Sequence, residues 1–163
     1  MSTKDIVYER LDALGIAYER YRHEAAYHME DCAGLDAQIG AVTCKNYFLT
    51  TKSRKVYCLC LVPPEARLRT SDLSKQAGTP RLTFADEDAM VELLRVHPGS
   101  VSPLGLIFDP DNRVRLLVDR ELLAAPKLAF HPCDNTETVA MSAHDFFQTF
   151  LPSVGHGYTV VEA

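Results

Sequence analysis

The sequence lacks a long apolar run, and its first residues are too polar for a signal peptide. No stretch reaches the roughly 20 apolar residues that cross a bilayer. Charged side chains such as Lys4, Glu9 and Arg10 occupy the region where a signal peptide is apolar. Low-complexity tracts, internal repeats and linkers are also missing, and 163 residues suit one domain with a sizeable core. These absences predict a single globular domain with no membrane partner.

The cysteines have neither the number nor the spacing of a disulfide framework or a zinc site. The sequence contains five, and no pair has C-x-x-C spacing; they are Cys32, Cys44, Cys58, Cys60 and Cys133. An odd set without paired spacing is typical of reduced thiols, which predicts a cytoplasmic protein. Neither His23, His28 and Cys32 nor His131 and Cys133 follow a zinc-ligand pattern. We therefore predict no metal and no cofactor.

Three common catalytic motifs are absent as well. The sequence contains no G-x-x-x-x-G-K-[ST] phosphate loop, no G-x-G-x-x-G fingerprint and no G-x-S-x-G nucleophile elbow. A thiol nucleophile at Cys133 with His131 as its base is one remaining interpretation. The alternative is that both residues are structural.

Hairpin patterns alternate with helix patterns along the chain. Helices are predicted from Thr3 as N-cap to Gly15, near Met29, from about Ser71 to Ala77, from Asp86 to about Arg95, and from Ser142 to Pro152; strands are predicted at 16–22, 46–51, 56–62, 81–84, 105–108, 113–119, 127–130 and 137–142. Residues 46–62 and 105–119 are each predicted to form a hairpin. This order predicts an α+β domain over residues 1–152, with one curved, mixed, barrel-like sheet surrounded by helices, and a tail over 153–163.

Positive charge is concentrated in the middle of an acidic chain. The segment from Lys45 to Arg81 has a net charge of +6, whereas the whole sequence has −5. Lys52, Arg54 and Lys55 lie together in the predicted turn of the first hairpin. A basic segment on an acidic protein indicates a face that binds a polyanion, unless these charges only solvate separate surfaces.

A short loop between a predicted helix and a predicted strand is the strongest candidate for a ligand site. It runs Gly99-Ser100-Val101-Ser102-Pro103. Glycine can adopt positive φ, and proline fixes its own φ and restricts the residue before it. A loop restrained in this way can aim peptide N–H groups at an oxyanion. The alternative is an ordinary helix-to-strand connection.

Polar side chains at the ends of two predicted strands are the second candidate. Lys45 and Asn46 begin an apolar strand, and His131 follows another. Lysine can bind a phosphate, and an asparagine amide can both donate to and accept from a ribose or an ester. Exposed residues at a strand start and a structural histidine are the alternatives.

These pieces together resemble one family. The stretches Cys44–Leu49, Arg81–Ala85, Pro98–Leu106, Phe130–Pro132 and Asn135–Thr136 come in the order and spacing of the YbaK/prolyl-tRNA-synthetase-associated editing domains. Among these, the chain is most similar to freestanding prolyl-tRNA editing proteins, over about residues 3–151. The resemblance implies the fold of that family and deacylation of alanine from mischarged tRNA(Pro) in trans, without metal or cofactor.

The resemblance also implies roles for individual residues. Lys45, Gly99 and His131 are the expected catalytic residues. The substrate-binding set comprises Asn46, Ser100, Val101, Ser102 and Pro103, with Ala26, Met29 and Leu35 as further pocket walls; Lys52, Arg54 and Lys55 are expected to bind the tRNA. Expected partners are the alanine-charged acceptor end of tRNA(Pro) and prolyl-tRNA synthetase. The stretch from Glu24 to Met29 departs from the family's small residues, so Cys- or Ser-tRNA stays open as the substrate, as does a non-catalytic tRNA- or synthetase-binding module.

Overall fold

The computed structural model describes residues 2–22 and 40–162. The helices of this part are α1 (Thr3–Ala13), α2 (Thr70–Ala77), α3 (Glu87–Leu94), a 3-10 helix (Pro103–Phe108), α4 (Arg120–Leu123) and α5, in which a π-helical turn (Phe146–Phe150) lies between Ala143–Asp145 and Leu151–Ser153. The strands are β1 (Tyr18–Arg22), β2 (Val42–Thr43), β3 (Lys45–Thr51), β4 (Tyr57–Val62), β5 (Leu82–Phe84), β6 (Val114–Asp119), β7 (Lys127–Phe130), β8 (Glu137–Ser142) and β9 (Thr159–Val161).

The described strands form two sheets, so the prediction of one curved sheet is wrong although the α+β class is confirmed. The first sheet has the order β1-β8-β7-β2, and the second has the order β5-β3-β4-β6-β9. Both sheets are mixed: β2 is parallel to β7, and β6 is parallel to β4 and to β9. The chain passes from the first sheet to the second at Cys44, the residue between β2 and β3.

A main core joins the two sheets, and a second core covers the outer face of the five-stranded sheet. The main core packs α1, α3 and α5 against both sheets; among its fully buried side chains are Leu11, Leu94, Leu59, Phe130 and Phe146. The second core lies under α2 and contains Leu49, Cys58, Cys60, Val62, Leu73 and Leu82. Neighbouring residues of β4 thus face different cores, so Cys58 and Cys60 share one face and β4 is covered on both faces.

The first predicted hairpin is confirmed. β3 and β4 pair antiparallel, with Lys45 opposite Val62 and Thr50 opposite Tyr57. The predicted hairpin over residues 105–119 is wrong, because Gly105 to Phe108 lie in the 3-10 helix and β6 has only parallel neighbours in the described sheet. Asp109 stabilises the turn between the 3-10 helix and β6. Its buried carboxylate accepts hydrogen bonds from the backbone N–H groups of Arg113 and Val114.

The helix ends differ from prediction in detail. Ser2, not Thr3, is the N-cap of α1, and it forms a capping box with Asp5. Gly15, where the sequence predicts the end of this helix, has a positive φ just beyond it. After α5 the chain continues to β9, so part of the predicted tail is the edge strand of the second sheet. No helix in residues 2–22 and 40–162 is long and apolar enough to span a membrane.

Candidate functional site

The ends of β2 and β7 bring Lys45, Asn46 and His131 to one edge of the first sheet. The two strands run parallel, with Thr43 in register with Ala129, and the Cys44 amide donates to the Ala129 carbonyl at 3.3 Å. Since parallel strands in register end at the same edge, the residues that follow them leave the sheet side by side. The strand ends therefore place the backbone of Lys45 and Asn46 beside the start of the segment that carries His131.

The Asn46 side chain has one fixed partner and one unused acceptor. Its Nδ2 donates to the Cys44 carbonyl at 3.1 Å, which sets the orientation of the amide because a carbonyl can only accept. Oδ1 consequently points away from this bond, and it is the one buried side-chain oxygen or nitrogen without a hydrogen-bond partner in the described part of the chain. Native structures leave few such atoms, so this acceptor is suited to a donor supplied by a ligand.

Lys45 lies on the opposite face of β3 from Asn46. Its Nζ is 6.0 Å from the ring centroid of Tyr47, and Tyr47 packs against the second core. Alternation along a strand turns Asn46 toward the main core, as for Phe48. The ammonium and the amide therefore flank β3 at the place where the chain changes sheets.

The His131 ring is fixed by a backbone contact. Its Nδ1 lies 2.7 Å from the carbonyl oxygen of Glu137. A carbonyl cannot donate, so Nδ1 carries the proton of this bond and Nε2 is the acceptor nitrogen of the neutral ring. The half-buried ring is thus held in one orientation by the Glu137 carbonyl.

Glu137 itself belongs to a buried charge cluster that the sequence analysis did not single out. Its carboxylate is 2% exposed and accepts hydrogen bonds from Arg20 Nε at 2.6 Å and from Tyr8 Oη at 2.9 Å, while Lys4 Nζ lies 2.6 Å away. Burial raises the pKa of Glu137, but the bonds from Arg20, Lys4 and Tyr8 outweigh burial and lower it to about 2. An acidic residue at the start of an otherwise apolar strand was the available sequence signal.

The loop from Gly99 to Pro103 is held by its own hydroxyl groups. Ser100 Oγ accepts from the backbone N–H of His97 at 3.0 Å, and Ser102 Oγ accepts from that of Leu104 at 3.1 Å. Both serines are at least 95% buried, since their exposed fractions are 5% and 0%. Gly99 has a φ of 91°, a backbone conformation that favours glycine. The two hydroxyls therefore shape the loop.

The rest of the loop is packed against the body of the protein. Pro103 is buried at the start of the 3-10 helix, and the half-buried Val101 packs against the main core, which also contains Cys44 and Phe130. Gly105 approaches α3 so closely that a Cβ atom there would lie 2.6 Å from the Leu94 carbonyl oxygen. The loop and the strand ends that carry Asn46 and His131 thus rest on one core.

The thiol groups of the described chain are poor candidates for nucleophiles. Burial raises the pKa of Cys133 to about 12, and the nearby Asp134 carboxylate adds to this. Burial also raises the pKa of Cys60 to about 12 and that of Cys58 to about 11. A buried, protonated thiol does not attack an ester.

The remaining predicted residues lie away from the strand ends or outside the described chain. Lys52, Arg54 and Lys55 are exposed in the β3–β4 turn, where Arg54 pairs with Asp86 at 3.2 Å. At about 3.3 Å per residue, the length of β3 separates that turn from Lys45 by roughly 20 Å. Ala26, Met29 and Leu35 lie outside the described residues. Within the described ranges, no three His, Cys, Asp or Glu side chains are grouped as metal ligands.

Comparison with known proteins identifies the family. The family model "Aminoacyl-tRNA editing domain" matches residues 23–149. The chain is 36% identical to the bovine (Bos taurus) prolyl-tRNA synthetase associated domain-containing protein 1 over 152 residues, covering 91% of this chain and 88% of that protein. It is 28% identical over 162 residues to the prolyl-tRNA editing protein ProX of Acetoanaerobium sticklandii, covering 99% and 98%.

Structural comparison agrees with the sequence matches. A crystal structure of a candidate trans-editing enzyme for prolyl tRNA synthetase superposes with a TM-score of 0.72 at 16% identity, covering 99% of this chain and 96% of that one. At this identity the likeness concerns the fold. The family model alone spans most of the sequence, and the chain belongs to the aminoacyl-tRNA editing domain family.

Proposed function

We propose that this protein hydrolyses the ester bond of mischarged Ala-tRNA(Pro) in trans. The single observation that carries the proposal is the unpartnered, buried Oδ1 of Asn46, located where the family's lysine-asparagine motif begins β3. The 3′ end of an aminoacyl-tRNA offers suitable donors for this acceptor, namely a ribose hydroxyl and the α-ammonium group. The prolyl-tRNA editing name of the ProX relative supports the choice of tRNA.

In the proposed mechanism, water attacks the ester carbonyl and the ribose hydroxyl next to the ester positions that water. The carbonyl oxygen gains negative charge as the C–O bond to water forms, and backbone N–H groups of the Gly99 loop stabilise it. The ester C–O bond to the ribose then breaks, alanine is released, and the ribose oxygen takes up the proton that the attacking water has lost. The positive φ of Gly99 and the buried serine hydroxyls support this role, because they hold the loop in one shape before substrate arrives.

The side chains at the strand ends bind the substrate in this proposal. Lys45 binds the terminal phosphate or the ester oxygen, and Asn46 Oδ1 accepts from the ribose hydroxyl or the ammonium group. His131 accepts a hydrogen bond through Nε2, an arrangement that its Nδ1 bond to Glu137 supports. The raised thiol pKa values support attack by water rather than by cysteine.

Selection of alanine over proline is proposed to be steric. Ala26, Met29, Leu35 and Val101 are the proposed pocket walls, and a pocket sized for alanine excludes the larger proline ring. Overpacking a tight site costs roughly 1–3 kcal/mol, which corresponds to about 10- to 150-fold in rate. Rates should fall in the order alanine, then serine or cysteine, then proline, and Met29→Ala should raise proline hydrolysis.

The test is to incubate the purified protein with Ala-, Ser-, Cys- and Pro-tRNA(Pro) and to measure the surviving ester over time. Rapid loss of the alanyl ester with protection of the prolyl ester is the expected result. Equal rates on alanine and proline would overturn the alanine assignment but keep the deacylase. Tight binding of tRNA or synthetase without hydrolysis of any ester would instead identify a binding module.

A further inference from the structure

A groove lined by basic side chains lies on the outer face of the five-stranded sheet. It has a volume of about 460 Å³ and is bounded by Arg67, Arg69, Asp72, Lys75, Gln76 and Glu162. We call this set the basic groove. It is separate from the candidate deacylase site, because none of its residues belongs to β3, to the Gly99 loop or to the end of β7.

The local sequence turns the basic side chains outward. Ala66 and Leu68 pack against the second core, so the intervening Arg67 and the following Arg69 are exposed. In α2, Leu73 is buried in the same core while Lys75 lies on the exposed side of the helix. The cations therefore project from a rigid base that packing has already fixed.

The groove has more positive charge than its acidic side chains neutralise. Among the described residues, no carboxylate lies within ion-pair distance of Arg67, Arg69 or Lys75, whereas the Glu162 carboxylate is paired with Arg120 at 3.0 Å. Gln76 closes one side through two 2.7 Å bonds to the Glu162 backbone. An excess of unpaired cations in a groove favours a polyanion.

The groove also shares a face with Lys45. Lys45 is paired with Val62, the last residue of β4, and the chain leaves β4 at that point to reach Arg67 a few residues later. The Lys45 ammonium lies toward Tyr47, which packs on the same second core as Leu68. The hairpin cations, in contrast, lie at the far end of β3.

We infer that the basic groove binds phosphates of the tRNA while the 3′ end occupies the site at Lys45. This inference rests on the proposed function, since it assumes that the substrate is a tRNA. Arginine binds phosphate oxygens through its planar, multiply donating guanidinium group, and two arginines with a lysine can contact successive phosphates. The contact adds affinity for the long substrate without touching the reacting ester.

The experiment compares two double variants that remove the same charge. Arg67→Gln with Arg69→Gln alters the groove, and Arg10→Gln with Arg113→Gln is the control outside it. Binding of uncharged, full-length tRNA(Pro) is measured by fluorescence anisotropy from 50 to 200 mM salt. The groove variant should bind more weakly and reduce the slope of log K against log salt by about two, because each lost phosphate contact releases about one counterion fewer. The control should retain the native slope.

A second measurement separates this inference from the proposed function. Deacylation is followed on full-length Ala-tRNA(Pro) and on a short alanyl-RNA that carries only the single-stranded 3′ end. The groove variant should raise KM on the long substrate and keep native rates on the short one. Failure of the native protein to deacylate either substrate would reject the proposed function, while the binding assay would still test the groove.

Three outcomes would overturn the groove assignment. The first is an equal loss of tRNA affinity in both double variants, which would mean that net charge alone attracts the RNA. The second is an equal loss of activity on long and short substrates, which would place the effect in the ester site. The third is a change of oligomeric state in the groove variant by size-exclusion chromatography, which would make the groove an interface between two copies of the chain.

Discussion

The carboxylate of Glu137 and the guanidinium of Arg20 form a 2.6 Å contact in which the acid is almost wholly removed from water. The contact joins β1 to β8, whose residues are far apart in the chain. The backbone carbonyl of the same glutamate holds the His131 ring. A surface charge from the N-terminal part of the chain is thus connected, through one residue, to the candidate site.

Acid should weaken the fold through Glu137. Its pKa is lowered from 4.5 to about 2 in the folded state, so its contribution to stability is present above pH 4.5 and is lost as the pH falls toward 2. This pKa shift corresponds to a contribution of at most about 3 kcal/mol to the free energy of unfolding. The real contribution is smaller, because solvent screens the partly exposed Arg20. Urea unfolding from pH 7 to pH 3 should show Glu137→Gln less stable than the native protein at pH 7, with the difference shrinking in acid.

Glu9→Gln is the control for this measurement, because it removes an exposed carboxylate of the same charge from α1. Its free energy of unfolding should follow that of the native protein across the pH range. If the free energies of unfolding of Glu137→Gln and the native protein differ by the same amount from pH 7 to pH 3, the role assigned to the ionised carboxylate is contradicted.

Lys45→Ala should reduce deacylation by a factor on the order of 10² or more, as expected for loss of one group that stabilises the transition state. The residue is only half-buried at the first position of β3, so the melting temperature should change little. Arg10→Ala is the control, since it removes one positive charge from the last turn of α1, away from every residue assigned to substrate binding. Comparable rates in the two variants would remove Lys45 from the mechanism.

Gly99→Ala should impair deacylation more than it impairs folding. A residue with a Cβ atom is strained at the Gly99 φ of 91°, and relief of that strain would rotate the peptide groups of the loop. Gly78→Ala is the control, because Gly78 has a φ of 69° and open space around its Cβ position. The control should lose stability by about 1 kcal/mol with its rate intact. A loss of stability alone in both variants would leave the loop with a purely structural role.

Cys133→Ala should keep near-native deacylation. Its thiol is buried and its pKa is raised to about 12, so almost no thiolate exists at neutral pH. Cys44→Ala should behave in the same way, with a loss of stability only, since Cys44 is 2% exposed in the main core. Inactivation of Cys133→Ala with an unchanged melting temperature would indicate a covalent thioester route.

The sequence predicts those helices and strands well whose ends are set by nearby turn residues and helix caps. The β3–β4 hairpin, the start of α3 at Asp86 and the start of the C-terminal helix at Ser142 are all confirmed, because turn residues and caps act within a few positions. The apolar pattern of residues 105–108 predicts a strand, and this prediction is wrong, because the segment belongs to the 3-10 helix. Leu106 is buried, and Ile107 and Phe108 are half-buried against the main core. An apolar run of that length does not reveal whether the backbone is extended.

Pairing between distant segments was beyond the reach of the sequence. Nothing in residues 113–119 indicates that β6 lies between two parallel neighbours, and the division into two sheets follows from this long-range order. For the site, residue types and the family resemblance selected Lys45, Asn46 and His131. The buried charge cluster around Glu137 could not be predicted, because only the folded chain brings Lys4, Tyr8 and Arg20 into contact with this residue.

The pairing of β2 with β7 has a consequence for synthesis on the ribosome. β2 consists of two residues, and its Val42 is in register with Leu128 of β7. No earlier part of the described chain forms strand hydrogen bonds with β2. A nascent chain that stops short of β7 contains Lys45 and Asn46 but not the strand that orders the turn into β3. Such non-local contacts form slowly. The candidate site is therefore completed late in translation, and shortened chains that end before residue 128 should show no deacylation however well their N-terminal hairpin folds.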